Sequence, residues 1–149
     1  MSDQDIKNMV SGLPCPEFEN PAFNTPKPLN ECRVAVVTSA ALHHSDDEAF
    51  AAQDTSLRVL DASRRDVQLG HWSPNFDRSG FAEDINVIWP VDRLQELADS
   101  GTIGSVAPRH LAFAGNQDES MTSIRLDSGP RAAQLLKDDE VDLVILTPV

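Results

Sequence analysis

Four stretches of this chain carry residues whose types and spacing suit chemistry. LHHSDD (42–47) sets His43 and His44 beside Asp46 and Asp47, just after an apolar run. Histidines with carboxylates suit a divalent metal, and a metal-bound water would make the chain a hydrolase using His43, His44 and Asp46. Adjacent side chains point different ways on most backbones, however, and no third and fourth ligands stand out. A hydrogen-bonded histidine pair is the plainer reading. GHWSPNFDRSGF (70–81) holds His71, Asp77 and Arg78 in a rigid, irregular loop of Gly, Ser-Pro and Asn. It serves either as structured loop scaffolding or as a substrate-binding segment. In APRHLAF (107–113), Arg109 can fork onto a carboxylate and His110 can move protons. An arginine that satisfies backbone carbonyls is the alternative. The two cysteines, Cys15 and Cys32, form no C-x-x-C pair and read as bystanders rather than nucleophiles. Ser39 lacks a G-x-S-x-G elbow, which leaves a hydrolase triad unsupported.

Several elements must position these residues. RVAVVTSAALH (33–43) has four consecutive apolar residues, Val34 to Val37, running into Ser39, Ala40 and Ala41. A buried strand entering a small-residue turn is the usual opening of a βαβ unit. The turn is not G-x-G-x-x-G, so no dinucleotide fingerprint is present. SLRVLD (56–61) and VQLGHW (67–72) alternate as weaker strands, and INVIWP (85–90) reads as a strand stopped by Pro90. VDRLQELADSG (91–101) is the clearest helix. Asp92 caps it with Gln95 as partner, Leu94, Leu97 and Ala98 share a face, and Gly101 ends it. Residues 101–116 read as a Gly/Ala/Pro-rich loop. A helical pattern returns from about Glu119 to Asp138, kinked or split at Gly129-Pro130. VDLVILTPV (141–149) carries an unbroken apolar run from Leu143 that predicts a strand buried on both faces. Helices between apolar strands predict an α/β fold, a Rossmann-like three-layer arrangement with a mostly parallel sheet, incomplete at its C-terminus. Ligands bind at the strand ends of such sheets, which places His43 well.

Composition narrows the class. The 149 residues suit one domain, 32–149, preceded by a Pro-rich arm over 1–31 that holds five of the ten prolines and can pack over the domain through Phe18 and Phe23. With six Phe, two Trp and no Tyr, the core must be built from Val, Leu, Ile and Ala. Twelve basic against 24 acidic residues give a formal charge of −12, which argues against nucleic acid and anionic membranes as partners. The runs SDDE (45–48) and KDDE (137–140) read as solvated surface. The N-terminus has no signal-peptide pattern, and no apolar stretch is long enough to span a bilayer, so a cytoplasmic protein with reduced thiols is expected.

The motifs taken together say more than any one alone. RVAVVTSAALH, HWSPNFDRSGF, INVIWPVDRLQELADSGTIGSVAPRHLAFAG and VDLVILTPV resemble, in order and spacing, the glycine/betaine/sarcosine/D-proline reductase selenoprotein B family. The likeness covers about residues 33–149 and is nearest to the short D-proline-reductase type. It implies an oxidoreductase subunit that reductively cleaves a C–N bond of a small amino acid or amine. A dithiol, thioredoxin-like or other, would donate the electrons. Similar enzymes use a selenolate of this subunit and a pyruvoyl group held by a partner subunit, which implies other reductase subunits as partners and an oligomer. The family's strand with a T-P turn leads directly into a selenocysteine or cysteine. The nucleophile is therefore expected directly after Val149, and a frame cut at an in-frame UGA is the expectation for this chain, inactive as it stands. On this reading Thr147, Pro148 and Val149 position the nucleophile. Asp77, Arg78 and Arg109 bind substrate, Arg109 by gripping the substrate's carboxylate, and His43 or His110 handles protons. The competing reading is a complete, non-catalytic α/β module that binds a small ligand or a protein partner.

Overall fold

The computed structural model describes residues 2–12, 24–73, 78–115, 117 and 121–149. Its centre is β1 (Arg33–Thr38). A run such as Val34 to Val37 has no polar position to turn to water, so it needs partners on both edges and cover on both faces. β7 (Leu143–Thr147) runs parallel along one edge, from Val34 opposite Leu143 to Thr38 opposite Thr147. Along the other lie β5 (Ser105–Val106), opposite Arg33 and Val34, and β6 (Arg109–Phe113), paired through Leu111 and Ala112 with Val37 and Thr38. These three pairings are parallel. β3 (Leu57–Asp61) joins β6 antiparallel, with Leu57 opposite Phe113 and Asp61 opposite Arg109. The result is a mixed α/β sheet, parallel around β1 and antiparallel at the β3 edge. β2 (Leu42–His44) and β4 (Val67–Leu69) form a separate antiparallel ribbon.

Ala107 and Pro108 separate β5 from β6. The Ala107 N–H still donates to the Val34 carbonyl at 2.9 Å, but Pro108 breaks the regular ladder because it has no N–H. The Val36 N–H, on the same edge of β1, donates instead to His110 Nδ1 at 3.0 Å. A nitrogen that accepts carries no proton, so the imidazole is neutral with its hydrogen on Nε2. His110 is fully buried, edge-on to Trp89 with ring centres 5.7 Å apart. That desolvation pushes its pKa down to about 4.

Parallel neighbours in register share a face. Val34, Val36, Leu143 and Ile145 therefore point together, into the cluster that holds Ile88, Trp89, Val91 and Leu94. Val91 and Leu94 lie three residues apart on α3 (Val91–Asp99), which presents that stripe to the core. α3 starts two residues earlier than the Asp92 cap predicts, with Pro90 at the N-cap. Asp92 instead sits in its first turn and accepts hydrogen bonds from Asn86 and Arg65. The helix ends as expected. Gly101, at φ 74°, lets its own N–H reach the Ala98 carbonyl and the Thr102 N–H reach the Leu97 carbonyl.

Three expectations need correction. INVIWP is not a strand: Ile85–Val87 form a 3₁₀ turn. The Asp84 carboxylate accepts from the Asn86 N–H at 2.9 Å and the Asn86 side chain accepts from the Asp92 N–H at 3.0 Å. Such local bonds compete with a strand ladder. The segment 101–116 is not all loop, because β5 and β6 lie within it. Its alanines 107, 112 and 114 are buried, so a composition that resembles a loop packs as sheet interior. Nor is β7 buried on both faces. Leu146 is 71% exposed and Val144 36%. The helical pattern before β7 does exist. It opens with a π-type segment, Ile124–Ser128, where the Gly129 N–H bonds the Ile124 carbonyl, and continues as α4 (Gly129–Asp138) with Pro130 in its first turn. At the other end of the chain, α1 (Asp3–Ser11) gives part of the arm a helix. Cys15, Phe18 and Phe23 lie outside the described residues. No helix among the described residues is long and apolar enough to cross a membrane.

His110 predicts a pH dependence. Its folded pKa, near 4, lies below the ordinary 6.5. Above 6.5 the folded and unfolded states are both neutral there and stability is full. As pH falls from 6.5 to 4 the unfolded chain takes up a proton that the fold refuses, and about 3 kcal/mol is lost. Urea titrations between pH 7 and 4 should show this loss. His110→Asn, which keeps an acceptor for the Val36 N–H, should flatten the slope, and an unchanged slope would place the titration elsewhere.

Candidate functional site

The carboxyl ends of β1, β6 and β7 open into a groove of about 530 Å³. Val37, Phe113 and Leu146 contribute from the sheet, and Met121 and Ile124 from the approach to α4. Strand ends and loops supply its rim: Ser39, Gly115 and Gln117, with Thr147, Pro148 and Val149 at the end of β7. Every described side chain lining it is uncharged. Carboxyl ends of parallel strands are the usual ligand site in such sheets, because the chain turns away there and leaves a crevice.

The rim is held by short bonds between β1 and β7. The Ser39 N–H donates to the Thr147 carbonyl at 3.2 Å. Pro148 has no N–H, and the Val149 N–H then donates to Ser39 Oγ at 2.9 Å. Thr147 Oγ1 donates to the Ile88 carbonyl at 3.0 Å, which anchors β7 to the turn before α3. Gln117 Nε2 bonds the carbonyls of Ala114 and Asp54. The backbone around the groove is costly. Met121 sits in the left-handed region at φ 46°, and Ile124 opens the π-type segment. Such features cost on the order of 1–3 kcal/mol each and gather at functional sites.

Of the residues expected to form a site, the structure brings Thr147, Pro148 and Val149 into the groove. Arg109 is elsewhere. At the start of β6 it forks onto Asp139, with Nε and Nη2 at 2.8 and 2.6 Å from the two carboxylate oxygens. His110 faces the core. His43 is buried on β2, its Nδ1 3.2 Å from the Ala41 carbonyl and its ring edge-on to Phe50. His44 Nε2 accepts from the Asp61 N–H at 2.9 Å. Asp46 pairs with Arg64 at 2.6 Å, as does Asp66, whose carboxyl Arg64 and Ser45 hold well below the usual carboxylate range. Among the described residues no cluster of three or more His, Cys, Asp or Glu can hold a metal. Arg78 donates to the His71 carbonyl at 2.7 Å, a scaffolding contact within its loop. Asp77 lies outside the described residues. Cys32 is buried beside β1, its thiol 3.3 Å from the Lys27 carbonyl.

Ser39, Gln117, Met121 and Leu146 were the residues missed. Ser39 had a signal, since it is the first residue past a buried strand. Gln117 and Met121 had none, because only the fold brings them to the strand ends.

Comparison with known proteins fits this picture. The family model for glycine/sarcosine/betaine reductase selenoprotein B matches residues 5–149. D-proline reductase subunit gamma from Acetoanaerobium sticklandii is 35% identical over 153 residues, which cover 99% of this chain and 62% of that protein. The chain thus spans less than two thirds of that relative's length. No solved structure matches the chain.

Gly115 makes the groove testable as packed structure. A Cβ there would lie 2.7 Å from His71 Nε2 and 3.0 Å from the Ser39 carbonyl. Gly115→Ala should therefore cost about 1–3 kcal/mol in urea titration through overpacking. A neutral result would mean that His71 and the Ser39 turn move apart freely.

Proposed function

The chain belongs to the glycine/sarcosine/betaine reductase selenoprotein B family, and on that premise we propose that it is part of a D-proline-reductase-type subunit whose reaction takes place in the groove. The observation that carries this reading is the place of Thr147, Pro148 and Val149. They leave the sheet at its carboxyl end, on the rim of an apolar groove. A selenolate or thiolate directly beyond Val149 in an extended chain would stand over that groove. Such a nucleophile is anionic at neutral pH and polarisable, which suits attack on carbon.

The reaction is reductive cleavage of a C–N bond in a small amino acid or amine. The nucleophile attacks the carbon that bears nitrogen, the C–N bond breaks, and the nitrogen leaves with the electron pair and a proton. A dithiol, thioredoxin-like or other, then releases the carbon as C–H and becomes a disulfide, so two electrons and two protons balance. Val37, Phe113 and Leu146 give the reacting carbon an apolar surface and thin the water around it. Ser39 and Gln117 offer neutral polar atoms at the rim. His110, buried and neutral, is not the proton source on this reading. That role falls to solvent or to the donor thiol. A pyruvoyl group on a partner subunit would supply a carbonyl that activates the amine. The rim fits access by such a partner, because Met121, Leu146 and Val149 are exposed. The same reading makes the assembly a cytoplasmic oligomer with a Rossmann-like, three-layer core completed by further chain.

Three measurements test it. Sequencing past the Val149 codon should find an in-frame UGA or cysteine codon followed by open frame. The extended subunit, assembled with its partner, should consume D-proline only when a dithiol is present and yield the ring-opened amino acid. Leu146→Glu should cut turnover of that assembly at least tenfold while changing the stability of the 149-residue chain, where the residue is exposed, by less than about 0.5 kcal/mol. No downstream frame and no dithiol-dependent turnover would leave a binding module as the better account.

A further inference from the structure

Ser39 is the one side chain of β1's end that bonds the main chain of β7 beyond its proline. Pro148 interrupts the pairing of the two strands, because it donates nothing. The next donor, the Val149 N–H, has no β1 carbonyl as partner and is taken up by Ser39 Oγ at 2.9 Å. Ser39 is itself fixed, since its own N–H bonds the Thr147 carbonyl at 3.2 Å. Thr38 reinforces the corner. Its Oγ1 donates to the Thr147 carbonyl at 3.4 Å and accepts the Ala40 N–H at 3.2 Å. The side of Thr147 away from this corner is tied to the Ile88 carbonyl. The chain therefore leaves β7 with Thr147 held from both sides and with Val149 held by one hydroxyl.

That hydroxyl is not saturated. As acceptor it has a good partner in the Val149 N–H. As donor it reaches a main-chain oxygen of Val149 at 3.5 Å, at the outer limit of a hydrogen bond. The Ser39 hydrogen is thus available to a stronger acceptor nearby, and an anion at the following position would be one.

We propose that Ser39 is the positioning residue of this site: its Oγ accepts the Val149 N–H and so aims the residue that follows Val149 into the groove, while its O–H turns to stabilise that residue's anionic form. This deepens, and rests on, the reading of the groove as the place where a selenolate or thiolate acts. The role does not need Ser39 to touch substrate. It needs the hydroxyl, so threonine should serve and alanine should not.

The test separates the clamp from the reaction. In the 149-residue chain, hydrogen exchange of the Val149 amide should speed up about tenfold in Ser39→Ala and return toward the wild-type rate in Ser39→Thr. With one cysteine appended after Val149, the pH profile of its alkylation by iodoacetamide should shift upward in Ser39→Ala and back in Ser39→Thr. In the assembled extended subunit, Ser39→Ala should lower kcat with KM for D-proline little changed. Unchanged amide exchange in Ser39→Ala would overturn the clamp. Faster exchange with an unshifted alkylation profile, or with kcat unaltered, would overturn the positioning role while leaving the reductase reading standing. An inactive wild-type assembly would sink the reductase reading alone, and the exchange and alkylation results would still decide whether Ser39 holds and tunes the end of β7.

Discussion

The pairing of β1 with β7 is the constraint on which the rest depends. Five consecutive positions match in parallel register, from Val34–Leu143 to Thr38–Thr147. Strand side chains alternate, so a slip of one residue would turn Leu143 and Ile145 out of the core and Val144 and Leu146 into it. The register also fixes what happens past the strand ends. Because Thr38 meets Thr147, Ser39 must meet Pro148 and Val149. The groove is a consequence of that alignment, and so is the bond between Ser39 and the Val149 N–H.

The two ends of the sheet have different electrostatic characters. Charges gather where β1 begins. Lys27 pairs with Asp142 at 2.7 Å, the Arg33 N–H bonds Asp142, and Arg33 reaches the Asp139 carbonyl while Arg109 forks onto the Asp139 carboxylate. This network fastens the segment before β1 to the turn between α4 and β7. Exposed pairs of this kind contribute little each, but here they share partners and set where β7 enters the sheet. At the carboxyl end the described lining is uncharged.

Much of this was legible in the chain. β1, α3 with its Gly101 terminus, β7 and the α/β class follow from apolar runs and helix-end signals. What escaped was decided by tertiary contacts. Arg109 looks like a carboxylate binder until Asp139, 30 residues on, takes both of its arms. His110 looks catalytic, but its Nδ1 accepts the Val36 N–H of β1 in the core. Asp84 and Asn86 turned an apolar run into a 3₁₀ turn through side-chain bonds that hydropathy does not register. Ser39 lacks a nucleophile's elbow, and only the fold shows that its hydroxyl accepts the Val149 N–H.

The exposure of Leu146 gives the groove an open apolar edge. A single exposed leucine needs no explanation. Leu146 stands beside Met121, Ile124 and Val149 on one groove, and the segment Ile124–Ser128 takes a π-type turn at its edge. A straight α-helix entering at Thr122 would have avoided that irregular turn. A contiguous apolar surface bordered by costly backbone is more than packing requires, and it lies where the β1–β7 register delivers the end of the last strand. The same alignment that holds the sheet in register thus sets Thr147, Pro148 and Val149 on the groove's rim.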